Sequence, residues 1–200
     1  MKHAVFSGLF LTITLFSFNS KASNVAEKIF PQRNSVIESA GDVGQFLPTL
    51  TALAITGYKK DKEGFKQLGL TVVSTMVVTE IGKKAFNNVN IDGRPLGERP
   101  NGSMNNFPSG HSSFAFSGAW YIKKRYGWKY AAAPVAIATF TGFSRMYAHK
   151  HDLKGVVSGA LTGILFAELF TKQFNENKNL QVSFNSNGYN AFQLNASYRF

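Results

Sequence analysis

Apolar residues along the chain gather into five stretches, 46–58, 65–81, 112–122, 130–143 and 153–170, separated by polar links. Each reads as a helix by its length and its content of small residues. In the last stretch Gly159 and Gly163 lie four positions apart, the spacing of a helix face that lets a neighbour pack closely. Most of the five fall short of the roughly 20 residues a membrane span needs. They therefore fit either tilted membrane helices with polar ends or the core helices of a bundle resting on a membrane. Residues 23–44 are polar and mixed, a lead-in segment with amphipathic turns.

The two ends of the chain differ in kind. Lys2 precedes an apolar run over 4–18, and Ser20-Lys21-Ala22 follows with small residues where a signal peptidase reads. A basic start, a short apolar core and a small-x-small exit make a secretory signal cleaved after Ala22; the alternative is an uncleaved first membrane helix. At the other end, 180–184 and 191–200 flank Asn185-Ser186-Asn187-Gly188, and Asn-Gly between two alternating runs predicts a β-hairpin. Phe192, Leu194, Ala196, Tyr198 and Phe200 fall on one face at period two, like the closing strand of an outer-membrane barrel. One hairpin cannot close a barrel, so it is read as an appendage. The expected architecture is all-α: a signal peptide at 1–22, a bundle of about five helices over 23–172, and a tail with a β-hairpin over 173–200.

Composition narrows the setting. The 200 residues suit one domain. The chain is 44% hydrophobic, yet its mean hydropathy of −0.10 is low for a protein built only of spans, which favours short apolar helices with polar ends. The absence of cysteine excludes disulfides, thiolate catalysis and a cysteine zinc site. A net charge of +11 favours anionic partners, nucleic acid or phosphorylated lipid among them. Export puts nucleic acid out of reach and leaves lipid. The link Lys59-Lys60-Asp61-Lys62-Glu63-Gly64 carries three lysines, and the link from Lys123 to Lys129 carries four positive charges. The positive-inside rule puts both in the cytoplasm and puts the links at 83–108 and 144–152 on the opposite side, where an exported enzyme works. The same rule leaves the tail in the cytoplasm, at odds with its barrel-like pattern. Solvated loops of a soluble bundle are the competing reading.

The chemistry concentrates in those two opposite-side links. Arg99-Pro100-Asn101-Gly102-Ser103 leads to Phe107-Pro108-Ser109-Gly110-His111-Ser112, and Ser144-Arg145 is followed by His149, His151 and Asp152. Ser109-Gly110 at the mouth of an apolar segment supplies N-terminal helix N–H groups and a hydroxyl for an anion, and glycine permits close backbone approach. Arg99 and Arg145 carry forked donors that match phosphate oxygens. His111 and His151 can attack phosphorus or move protons near neutral pH. Such a set suits phosphoryl transfer, with cations holding the developing charge.

An Arg-Pro element, then Pro-Ser-Gly-His, then Ser-Arg with a histidine six positions beyond the arginine, resembles the three-part signature of the type 2 phosphatidic acid phosphatase superfamily. That superfamily takes in lipid phosphate phosphatases, lipid A phosphatases, undecaprenyl pyrophosphate phosphatases, bacterial acid phosphatases and vanadium haloperoxidases. The resemblance implies a metal-independent phosphatase with no cofactor, acting on a phosphorylated lipid at the periplasmic face of the inner membrane. It implies His151 as the nucleophile that forms a phosphohistidine and His111 as the acid, with Arg99, Ser109, Gly110 and Arg145 holding the phosphate. The family's upstream lysine falls to Lys84 or Lys83 once an insertion over 90–97 is allowed, and Arg94-Pro95 competes with Arg99-Pro100. One departure stands out. The family places an orienting Asp four residues after the nucleophile, where this chain has Gly155; Asp152 is the substitute the sequence offers, provided His151 precedes the helix. The alternatives are a soluble periplasmic acid phosphatase and a catalytically weakened lipid-binding or scaffold protein of the same fold.

Overall fold

The structure, a computed structural model, describes residues 35–91 and 93–174 and the backbone of the strands at 180–186 and 192–198; the expected signal at 1–22 lies outside the described residues. The chain runs through α1 (Ser35–Gly44), α2 (Leu47–Tyr58), α3 (Lys62–Phe86), a small hairpin of β1 (Asn90–Ile91) and β2 (Arg94–Pro95), α4 (Gly110–Tyr126), α5 (Trp128–Tyr147) and α6 (Leu153–Phe170). The tail forms β3 (Leu180–Ser186) and β4 (Phe192–Tyr198), antiparallel with Leu180 opposite Tyr198 and Ser186 opposite Phe192. The five expected helices and the tail hairpin are present. Strand β3 begins at Leu180 as alternation placed it and runs two residues further, because Asn185 and Ser186 pair as strand rather than turn. Two expectations change. The end of the lead-in folds as α1, and the link 123–129 is no loop: Gly127 alone separates α4 from α5, at a φ of 88° that other residues rarely adopt. The insertion around 90–97 is the β1–β2 hairpin, turned at Gly93 (φ 82°).

Polar side chains set the helix starts. Asp61 caps α3 by accepting the Gly64 N–H (2.9 Å), Ser109 caps α4 by accepting the Ser112 N–H, and Asp152 caps α6 by accepting the Gly155 N–H (2.8 Å). Helix α3 outruns its apolar stretch at both ends, carried past Gly82 by Lys83, Lys84 and Ala85, good helix formers, and anchored where Phe86 meets Phe107 edge-on at 5.4 Å.

Beside a buried apolar cluster of Ala52, Leu68, Tyr121, Ile122 and Ala131, much of the interior is hydroxylic and much of the outer face apolar. Inside lie Thr71, Thr75 and Thr79 of α3, Ser112, Ser113 and Ser117 of α4, and Thr141 and Ser144 of α5, all fully buried. Outside lie Leu50, Leu70, Val73, Val77, Ile81, Phe140, Leu165 and Leu169, each more than two-fifths exposed. Small and hydroxylic residues inward with large apolar residues outward is how helices pack in lipid, where close approach and interhelical hydrogen bonds drive association. Among the described residues α6 is the helix long and apolar enough to cross a membrane by length and composition.

Helix α4 is the axis, touching every other helix. Against it α6 lays Gly155, Gly159 and Gly163 at four-residue spacing. A methyl group on each would stand 2.3 Å from Asn106 O, 2.3 Å from Ser109 O and 2.4 Å from Ser113 O, so the close-packing face expected of Gly159 and Gly163 is real and one turn longer. The 17 residues of α4 hold its two ends about 25 Å apart. At its C-terminal end Arg125 makes a buried two-point ion pair with Asp61 (2.5 Å each) and donates to Gln67 and to the Lys172 carbonyl. Burial pushes the Asp61 carboxyl up, but Arg125, the Gly64 N–H and Tyr126 outweigh it and hold the acid below its ordinary range. That end gathers the two basic links. The opposite end gathers the links with the histidines and arginines.

Candidate active site

His151 lies between α5 and α6, one residue before the α6 cap and outside the helix. It is 4% exposed, and its Nδ1 stands 2.7 Å from the Asn106 backbone oxygen. A carbonyl can only accept, so Nδ1 carries the proton and Nε2 is left with the lone pair. Burial depresses its pKa to about 3, with the charges of Arg99, Arg145 and His111 adding to the effect and the Asn106 bond opposing it. The nucleophile candidate is thus a neutral imidazole of defined tautomer at neutral pH. His111, the second residue of α4, is near enough for its charge to act on His151. Its Nε2 meets Asp42 Oδ1 at 2.8 Å.

Arg145, in the last turn of α5 and 4% exposed, donates from one terminal nitrogen to the same Asp42 oxygen, with Glu38 at 4.0 Å. Its backbone carbonyl also accepts the N–H groups of Lys150 (3.0 Å) and His151 (3.2 Å), which curls the chain so that Ser-Arg and the histidine share one pocket. Arg99 sits in a tight turn in which its N–H bonds Ser103 O (2.7 Å), with Gly102 at φ 83°. Burial, then the neighbouring Arg145 charge, lower the Arg99 pKa from its ordinary value. The Nε–H groups of Arg99 and Arg145 are buried and lack a hydrogen-bond partner among the described residues, so both guanidiniums keep donors in reserve. Two cations near enough for one to act on the other, each with an unpartnered buried Nε–H among the described residues, make a site that gains from an oxyanion.

Ser109 and Gly110 are where the sequence put them, though with one role reduced. The Ser109 N–H is taken by Gly155 O (2.8 Å), so the first-turn N–H groups without a helical carbonyl begin at Gly110. At Gly110 an added Cβ would lie 3.2 Å from Lys83 Nζ. That contact separates the two lysines. Lys83 reaches the mouth of α4, paired with Glu80 at 2.5 Å, whereas Lys84 is exposed. Of the two lysines that the sequence left open, Lys83 is the one that approaches Gly110, since neighbours on a helix point about 100° apart. Arg94 is likewise exposed on the β1–β2 hairpin, while Arg99 lies close enough to His151 and Arg145 to act on them.

Asp152 does not take the place expected of it. Its carboxylate caps α6, and its N–H donates to Asn106 Oδ1 (3.0 Å), while the imidazole it was to orient is held by Asn106. Asn106 and Asp42 are the two residues sequence reasoning missed. Gly155 at the family's aspartate position was a sign that another group must hold His151, without a sign of which. Nothing in the sequence around Asp42 marks it.

The sequence model of the PAP2 superfamily matches residues 64–179. A "Lipid A 4'-phosphatase" of Helicobacter pylori is 31% identical over 96% of this chain and 97% of its own length. A "Lipid A 1-phosphatase" from the same species is 33% identical over 64% of this chain and 67% of its own. Among solved structures, Aquifex aeolicus LpxE superposes with a TM-score of 0.55 at 24% identity, covering 73% of this chain and 92% of that one. A transmembrane PAP2-type phosphatidylglycerolphosphate phosphatase from Bacillus subtilis superposes with a TM-score of 0.59 at 21% identity, covering 82% and 92%.

Proposed function

Because the chain belongs to the PAP2 superfamily and is a phosphatase of that family, we propose that it removes a phosphate from lipid A through a phosphohistidine on His151. The observation that carries the mechanism is the tautomer of His151: Nδ1–H is committed to the Asn106 carbonyl, which makes Nε2 the attacking atom. As the Nε2–P bond forms, the P–O bond to the lipid breaks, and the leaving oxygen takes a proton from His111. Arg99, Arg145, Lys83 and the first N–H groups of α4 hold the non-bridging oxygens. Water then attacks phosphorus, His111 takes its proton, and the N–P bond breaks to free inorganic phosphate and neutral His151. Burial and the Arg145 charge hold the His111 pKa below its ordinary value, and Asp42 opposes them, keeping the ring oriented and favouring its charged form.

Lipid A is chosen because a relative aligned over 96% of this chain and 97% of its own length is a lipid A phosphatase, and the 4'-phosphate is the position that relative's name gives. The apolar outer face supports a domain of residues 23–172 seated in the inner membrane. The segregation of basic links to one end of α4 supports a site facing the periplasm, reached by way of a signal at 1–22, with the tail from 173 as an appendage. The same outer face argues against a soluble acid phosphatase. A weakened scaffold loses its motive once another group holds His151.

The test is phosphate release from detergent-solubilised lipid A by purified protein in the presence of a metal chelator. Wild type should release phosphate, and His151→Ala and His111→Ala should each abolish it. Release that survives both substitutions removes the mechanism; release from phosphatidylglycerophosphate but not lipid A moves the substrate.

A further inference from the structure

We infer that the backbone carbonyl of Asn106 replaces the missing aspartate as the positioning group of the nucleophile, and that residue 155 is glycine to admit it. This rests on the reading of His151 given above. A nucleophilic imidazole needs its far nitrogen held, or the ring turns and presents the wrong atom or tautomer. Here the holder is Asn106 O at 2.7 Å, and it is itself fixed on every side. The Asn106 N–H donates to Gly97 O (2.9 Å), its Nδ2 donates to Leu96 O (3.3 Å), and its Oδ1 accepts the Asp152 N–H (3.0 Å); the residue is 1% exposed. The β1–β2 hairpin therefore does more than fill an insertion, because the carbonyls of Leu96 and Gly97 just beyond it set the depth of Asn106.

Gly155 completes the device. A Cβ there would stand 2.3 Å from Asn106 O, 3.2 Å from its carbonyl carbon and 2.9 Å from Oδ1. These are backbone and clamped atoms with no room to yield. An aspartate at 155 and the Asn106 carbonyl at His151 are mutually exclusive, so the chain carries one orienter or the other. The two differ in charge. A carboxylate beside Nδ1–H stabilises an imidazolium, and a carbonyl does so far less, so this nucleophile resists protonation more than one backed by aspartate. The charged groups acting on His151 are Arg99 from the loop before α4, His111 of α4 and Arg145 of α5; the Asp152 carboxylate beside it is turned to the Gly155 N–H.

The experiment is steady-state kinetics on lipid A in detergent with Gly155→Ala, Gly155→Asp and Asn106→Ala, each checked for a wild-type thermal transition. Gly155→Ala and Gly155→Asp should lower kcat by about 10²-fold or more, the scale of misplacing a reacting group by about 1 Å, with KM within about threefold. Asn106→Ala keeps the carbonyl and loses its side-chain clamps, so kcat should fall by about 10-fold with KM unchanged. If the glycine variants do not fold, Asn106→Ala decides alone. The inference is overturned if Gly155→Asp matches or exceeds wild type with the acid limb of its pH profile moved to higher pH, as an aspartate-held imidazole requires. It is also overturned if Asn106→Ala keeps kcat within about twofold. An inactive wild type, or activity indifferent to His151→Ala, sinks the functional reading instead, so the two failures are distinguishable.

Discussion

Replacing Asp42 by asparagine tests the carboxylate that bonds both His111 and Arg145. Asp42 Oδ1 accepts from His111 Nε2 at 2.8 Å and from Arg145, so it faces two groups assigned to the transition state. Asparagine keeps the oxygen and removes the charge. A hydrogen bond to a charged group contributes about 1.5–3 kcal/mol, against about 1 for a neutral one. The two differ by about 0.5–2 kcal/mol, and because the Asp42 side chain is 47% exposed, solvent screening argues for the low end, about 0.5 kcal/mol. That is about a two- to threefold loss of the acid form of His111 wherever it is the minority species. The direction follows from charge: without the anion, protonated His111 is less stable and surrenders its proton at lower pH. The expected result for Asp42→Asn is therefore about a two- to threefold fall in kcat/KM at neutral pH, with the alkaline limb of the profile displaced towards acid. The assay is kcat/KM for lipid A between pH 5 and 9, in wild type and variant under identical detergent. A variant that is faster with lower KM would refute the reasoning and recast Asp42 as an obstacle in the phosphate pocket. An unmoved alkaline limb would refute it equally.

Two further outcomes follow from the site. Lys83→Ala should raise KM several-fold while Lys84→Ala leaves both constants near wild type, because Lys83 alone of the pair approaches Gly110; steady-state kinetics of the two variants separates them. Stability should fall as pH drops from about 6.5 towards 3. In that window the unfolded chain protonates residue 151, whose pKa in the fold is depressed to about 3, so the unfolded state binds the extra proton and gains. Thermal unfolding of His151→Gln against wild type from pH 7 to pH 4 should show a shallower decline in the variant.

The five helical stretches were legible because helix formation and burial leave a local, periodic mark, and the three-part signature was legible because phosphoryl transfer demands particular side chains in order. Gly159 and Gly163 were readable for the same reason: close packing needs small residues at helical spacing. The boundaries of α3 and the turn at Gly127 were less so, since helix ends depend on caps and on what the last turn packs against. Asp42 lies 69 positions from His111 and 103 from Arg145, and no local pattern encodes a meeting across such separations. The grip of Asn106 on His151 is further from view, because the acting atom is a backbone oxygen that every residue possesses. Side-chain identity determined what chemistry this chain can perform. Only the approach of α6 to the entrance of α4, allowed by three glycines, decided which carbonyl aims the nucleophile.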